Sequence, residues 1–238
     1  MDDLPGLTPI PHPTPARPLL GMTVLVVDDS LYACDAMRLM CLHSGARIRR
    51  ADCLRSARRH LQVYRPTVVI VDLGLPDGSG LELIAELAGA APRVTSILAS
   101  SGDDGAEAAA LAAGADGFLA KPMTNLGVFQ SKVLATLPAE RRPAGPRVAR
   151  SDEIHPDPIA YRDDMVHASN LLDDTSEGPA LTYLAQFLGG VARAAEDVQL
   201  ARAAEALGAP ERGGTALGAR LAQVAGLVQE RLGNRAAM

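Results

Sequence analysis

The chain has 238 residues, a formal net charge of −5, 3% aromatic residues and no Trp. That length accommodates one ordinary domain plus a smaller unit, and the acidic balance argues against a chain whose main partner is nucleic acid. Cys34, Cys41 and Cys53 give neither an even disulfide framework nor a CxxC pair, and no apolar run approaches a membrane span. The N-terminus lacks the basic and apolar regions of a secretion signal, so a soluble, cytoplasmic protein without a membrane partner is expected.

Residues 1–20 carry Pro5, Pro9, Pro11, Pro13, Pro15 and Pro18, a density that removes backbone donors and excludes regular helix or sheet. A disordered tail is expected there. Thr23–Val27 is a buried-strand run that ends on Asp28-Asp29, after which Ser30 opens a helix that stops at Gly45. Cys34 and Cys41, seven apart, are expected on one face of that helix as buried thiols. Ala46–Ala51 reads as a short strand, and Leu54–Tyr64 as a helix ended by Arg65-Pro66. Seven arginines and one acid, Asp52, lie between Arg47 and Arg65. They make either a solvated face or a docking surface for an acidic partner.

Val68-Val69-Ile70-Val71 suits a strand buried on both faces. It ends on Asp72, and Leu73-Gly74-Leu75-Pro76-Asp77-Gly78 follows as a loop before a helix from Ser79. Taken alone, Asp72 could simply begin a turn. Val94–Ala99 is a fourth strand, Asp104–Ala113 an Ala-rich helix closed by Gly114, Gly117–Ala120 a fifth strand and Asn125–Leu137 a fifth helix. Strict β-α alternation predicts a five-stranded parallel, doubly wound α/β sheet with right-handed crossovers. The carboxyl ends of its strands open on one edge, where such folds hold ligands. Asp28, Asp29, Asp72, Ser100 and Lys121 all fall at those ends.

Carboxylates forced together repel and raise one another's pKa, and a divalent cation relieves them. Oxygen ligands with open water positions suit Mg²⁺. Lys121 supplies a point charge for a phosphoryl group, a Ser hydroxyl can donate to one, and a carboxylate can itself be the nucleophile. The set reads as Mg²⁺-assisted phosphoryl transfer to Asp72, with little protein acid–base chemistry.

Val-Val-Asp28-Asp29-Ser, the stretch from Val71-Asp72 through Leu-Gly-Leu-Pro-Asp-Gly-Ser-Gly to Leu-Glu-Leu, and Ala-Gly-Ala-Asp-Gly-Phe118-Leu-Ala-Lys121-Pro122 together resemble the receiver domain of two-component response regulators, the CheY-like superfamily with a flavodoxin-like fold. The resemblance covers residues 21–138. It implies that Asp72 accepts a phosphoryl group from a histidine kinase or a histidine phosphotransfer protein. It further implies that Asp29, Asp72 and the Gly74 carbonyl hold Mg²⁺, with Asp28 acting mostly through water. Lys121 would contact the phosphoryl group ahead of a cis Lys121–Pro122 peptide, and Phe118 occupies the aromatic switch position. Ser100 is preferred for the switch hydroxyl, and Ser101 and Ala99 remain as alternatives for that slot. A phosphatase with an aspartyl intermediate would want a second acid where Gly74 stands, so a phosphoacceptor signalling protein is expected rather than an enzyme acting on other substrates.

Residues 139–178 form a Pro-bearing linker, basic first and acidic later. His155 and His167 fall in this linker as bystanders, and Ile159–Leu172 is its one stretch with a short-helix pattern. From Pro179 the seam Leu181, Leu184, Leu188, Val191, Ala195 and Val198 alternates spacings of three and four. Gly208-Ala209-Pro210 and Gly213-Gly214 break it, and it resumes over Leu217, Leu221, Val224 and Val228. An α-helical hairpin over 179–233 is expected. Because such a unit is marginal alone, it should pack on the receiver or pair two copies as a homodimer. The hairpin carries neither a recognition-helix pattern nor a histidine, which disfavours DNA binding and a phosphotransfer role. The function expected is a phosphorylation switch in which Asp72 remodels the face made by the fourth helix, fifth strand and fifth helix. The alternatives are a phosphate sink or scaffold dimerised by the hairpin, and an atypical transcription regulator.

Overall fold

The computed structural model describes residues 12–145, 152–174, 178–209 and 217–233. In chain order the first half runs β1 (Thr23–Val27), α1 (Leu31–His43), β2 (Arg47–Ala51), α2 (Leu54–Val63) and β3 (Val68–Asp72). A small hairpin, β4 (Gly74–Leu75) with β5 (Gly78–Ser79), leads into α3 (Gly80–Gly89). Then come β6 (Ser96–Ser101), α4 (Glu107–Ala112), β7 (Gly117–Ala120) and α5 (Leu126–Thr136). The five long strands form one parallel sheet in the order β2-β1-β3-β6-β7, as the β-α alternation predicts. The reversal of strand order between β1 and β3 opens the crevice at their carboxyl ends.

Strand alternation divides the core into two layers. Val24, Val26, Val68, Ile70 and Leu98 face α1 and α5, where Met37, Met40, Cys41, Phe129 and Val133 cover them. Leu25, Val27, Val69, Val71 and Ala99 face the opposite layer, with Leu54, Leu83, Ile84, Leu87 and Ala110. Cys34 and Cys41 are buried free thiols on α1, as their spacing implies. Helices α1, α3 and α5 begin on side-chain caps: Ser30 accepts from the Ala33 N–H, Ser79 from Leu81 and Asn125 from Val128.

The Pro-rich N-terminal segment needs a correction where it is described. Residues 12–20 contain no helix or strand. Leu19 is nevertheless fully buried in the first core layer, its N–H donating to the Ser44 carbonyl at 2.9 Å. A single leucine between prolines carries no periodicity, so the sequence pattern missed it. Residues 1–11 lie outside the described residues.

The second half departs further from expectation. The stretch read as linker contains α6 (Pro158–Asp174), and the expected two-helix hairpin is three helices: α7 (Pro179–Ala194), α8 (Val198–Gly208) and α9 (Leu217–Gly233). The four pack as a ring, α6 on α7, α7 on α8, α8 on α9 and α9 on α6. They share a core of Met165, Leu184, Leu188, Val191, Leu200, Ala204, Leu207, Val224 and Val228. The break that splits the seam falls at Glu196, which has φ +57, and Asp197, which caps α8 by accepting from the Leu200 N–H. A residue in this left-handed conformation is usually Gly or Asn, so Glu196 gave no stop signal. His167 therefore lies on a helix of the bundle, packed edge-on to Phe187 with ring centroids 5.2 Å apart. The Asp197 carboxylate also takes hydrogen bonds from the Tyr161 hydroxyl at 2.8 Å and from Arg231 Nε at 2.9 Å, tying α6, α8 and α9 at one point.

The bundle sits on the first half of the chain. Helix α1 packs against α6 and α7, and α7 against β4. Tyr32 and Tyr161 meet edge-to-face at 5.8 Å.

Candidate functional site

The buried run of β3 can end in a carboxylate only because the sheet edge opens there. Asp72, Asp28 and Asp29 meet at that edge, each offering an oxygen within 4.8 Å of the others. Lys121, just past β7, bridges two of them: its Nζ stands 2.7 Å from Asp28 Oδ2 and 2.6 Å from Asp72 Oδ1. The second Asp72 oxygen accepts the Gly74 N–H at 3.0 Å, and Asp28 accepts the Ser30 N–H at 3.1 Å. The Lys121–Pro122 peptide is cis.

Burial dominates the electrostatics. It pushes the Asp72 carboxyl up to about 6, with Lys121 opposing and Asp28 reinforcing the shift. Burial, then the charge of Asp28, pushes Asp29 up to about 8. For Lys121 burial works against the charge, but Asp28 and Asp72 outweigh it and hold the ammonium above its ordinary range. One cation against three crowded carboxylates leaves negative charge uncompensated. The all-oxygen donor set and its spacing fit a small hard divalent cation such as Mg²⁺.

Register decides how the three candidate hydroxyl-slot residues lie. Ser100 pairs with Asp72 across β3 and β6, Ala99 pairs with Val71, and Ser101 pairs with Ala120 on β7. Ser100 is fully buried, and its Oγ finds no hydrogen-bond partner among the described residues. Ala99 faces the opposite layer, and the Ser101 hydroxyl accepts the Asp103 N–H at 3.1 Å. Phe118 is buried in the second core layer next to Ala99, its register partner.

Sequence reasoning missed one wall of the site. A cavity of about 290 Å³ over the carboxylates is lined on its far side by Gln186, Phe187, Gly190 and Arg193 of α7. The Tyr183 hydroxyl, from the same helix, donates to Asp29. From α6, the buried Asp164 carboxylate accepts from Ser30 Oγ at 2.7 Å, from the Leu31 N–H at 2.7 Å and from the Tyr32 N–H at 3.1 Å. A signal for α6 was present: Asp157 followed by Pro158 is a cap with proline in the first turn, and Asp157 Oδ1 accepts the Ile159 N–H at 2.8 Å.

A doubly wound α/β fold with an acidic pocket at its switch point and a lysine bridging two of the acids defines an oxygen-ligand cation-type site rather than a dinucleotide site. Residues 24–131 match the family model of the response regulator receiver domain, and over these residues the chain is a receiver domain of the two-component type. The KDP operon transcriptional regulatory protein KdpE of Escherichia coli is 32% identical over 114 residues, 48% of this chain and 50% of that protein. KdpE of Mycobacterium tuberculosis is 35% identical over 99 residues, 42% of this chain and 44% of that protein. The chain thus spans about half the length of the curated relatives it matches. Among solved structures, a response regulator from Chloroflexus aurantiacus aligns at 28% identity and a TM-score of 0.44, over 48% of this chain and 97% of that one. Among the described residues no helix is long and apolar enough to cross a membrane.

Proposed function

We propose that Asp72 accepts a phosphoryl group from a phosphohistidine on a histidine kinase or a phosphotransfer protein, in a Mg²⁺-dependent step. The donor P–N bond breaks as a P–O bond forms to an Asp72 carboxylate oxygen. The imidazole nitrogen keeps the electron pair and takes up a proton. The observation that carries this reading is the convergence of Asp28, Asp29, Asp72 and Lys121 on one buried edge of the sheet. Asp29, Asp72 and the Gly74 carbonyl would hold Mg²⁺, with Asp28 acting through water. Bound there, the cation neutralises charge on the carboxylates and the transferring oxygens. Lys121 would move from the bare carboxylate to the phosphoryl oxygens. The unpartnered Ser100 hydroxyl supports its role as a donor to them, with Phe118 following its movement.

The C-terminal helices are the output element of this reading. Their packing against α1, β4 and the pocket supports an output exerted first within one chain, with partner binding or dimerisation downstream. The relatives named as transcriptional regulators match less than half of this chain, and the family model ends at residue 131, so their output is not assigned to α6–α9.

Intact mass combined with light scattering, with Mg²⁺ and acetyl phosphate, tests the reading on wild type and Asp72→Asn. An adduct on wild type alone is the expected result. A change in size would point to association as the output, and an unchanged size to a partner protein or a phosphate sink. A wild type that binds Mg²⁺ and gains no adduct overturns the reading.

A further inference from the structure

The pocket wall formed by α7 presents Gln186, Phe187, Gly190 and Arg193, spaced so that they share one helix face. Arg193 Nε is buried and has no hydrogen-bond partner among the described residues. The guanidinium lies against Gly102, where an added Cβ would meet Arg193 Nη2 at 2.7 Å. Gly102 is two residues beyond Ser100, just past the end of β6, which pairs with β3, so this contact brings the cation to the same edge of the sheet as the acceptor carboxylate. Among the described residues its ion pair is a 3.3 Å approach of Nη1 to Glu205, an exposed carboxylate, and the Arg193 side chain as a whole is 32% exposed, so burial is confined to the Nε side. A desolvated guanidinium nitrogen without an acceptor is costly unless an anion takes it up. The neighbouring Gly190 leaves room for one, since a Cβ there would meet nothing within 4 Å.

We propose that Arg193 is a phosphoryl-binding residue supplied to the receiver pocket by the C-terminal helices. Its Nε–H and Nη2–H donate to the oxygens of the group carried on Asp72. The inference rests on the reading of Asp72 as acceptor. A planar guanidinium fork matches phosphoryl oxygens better than a point charge does, and an arginine delivered from a separate element is an established way to complete a phosphoryl site. The pocket is then whole only with α7 in place, and loading Asp72 fastens the bundle to the receiver rather than expelling it.

Titration of the full chain with beryllofluoride in the presence of Mg²⁺, a mimic of the phosphoryl group, tests this by calorimetry. Arg193→Ala is expected to bind the mimic at least tenfold more weakly than wild type, and Arg193→Lys to fall between. Glu205→Gln is expected to bind as tightly as wild type or more so. Mg²⁺ affinity measured alone should be unchanged in all three. Arg193→Gln replaces Arg193→Ala if the latter melts early. A mimic affinity for the alanine or glutamine variant within twofold of wild type overturns the assignment of Arg193 and leaves Asp72 standing. A wild type that takes up neither beryllofluoride nor an acetyl-phosphate adduct overturns both.

Discussion

Asp164 on α6 holds the hydroxyl of Ser30, the cap of α1, at 2.7 Å, while that same hydroxyl accepts the Ala33 N–H at 3.0 Å. A carboxylate from the C-terminal bundle thus completes the start of the helix that follows Asp28 and Asp29. It adds negative charge at a helix N-terminus, where the backbone dipole favours it, although burial pushes its own carboxyl up to about 6.

Asp164→Ala should therefore loosen the bundle from the receiver. Losing a buried cap and its charged hydrogen bonds should cost about 1–3 kcal/mol. Thermal melting read together with proteolysis between α5 and α6 checks this. Unchanged melting and unchanged cleavage would show that the contact is passive.

Tyr183→Phe removes the hydroxyl that donates to Asp29. A cation that uses this carboxylate must first displace that hydrogen bond. The variant should therefore bind Mg²⁺ roughly three- to tenfold more tightly, the range expected for one ordinary net hydrogen bond of about 1 kcal/mol. Calorimetric titration with MgCl₂ alone reads it, and weaker binding in the variant would contradict the competition.

Acid should weaken the bundle through Asp197. Burial alone would raise this carboxyl, but hydrogen bonds from Arg231, Leu200 and Tyr161 outweigh it and hold it below its ordinary value. A carboxylate depressed on folding contributes stability above its unfolded pKa, near 4, and loses it as pH falls through the folded value. Wild type should therefore lose its advantage over Asp197→Asn progressively below about pH 4. Melting of the two proteins from pH 7 to pH 3 decides the matter, and parallel curves would rule this coupling out.

Two glycines should respond oppositely to alanine. At Gly80, where α3 begins, a Cβ would fall 2.0 Å from the Asp72 carbonyl oxygen, so Gly80→Ala must displace the loop behind the acceptor. At Gly190, inside α7, a Cβ meets nothing within 4 Å. Gly190→Ala should stabilise by about 0.5–1 kcal/mol through helix propensity. Denaturant unfolding of both variants separates the two effects.

The receiver half was legible because each of its signals is local. Apolar runs ending in Asp28-Asp29 and Asp72, a helix cap at Ser30 and the Lys121-Pro122 pair each mark a strand end within a few residues. Parallel topology then does the assembly. The α7 wall was not legible, because Tyr183, Gln186 and Arg193 are ordinary exposed-type residues on an amphipathic helix. They become pocket residues only through docking across more than a hundred positions of sequence. The Glu196 break was missed for a different reason: a non-glycine left-handed residue is stabilised by its tertiary setting. Asp157-Pro158 was a readable helix start, obscured by the prolines around it.

Strand β2 is one margin of the parallel sheet, paired on one side to β1. Its outward row of backbone donors and acceptors is the kind of surface on which a second sheet can grow. Arg47, Arg49 and Arg50 stand exposed on that five-residue strand. A second copy approaching edge to edge would have to bring its own three arginines alongside them. Like charge along this margin therefore opposes fibre-like stacking of one sheet on another.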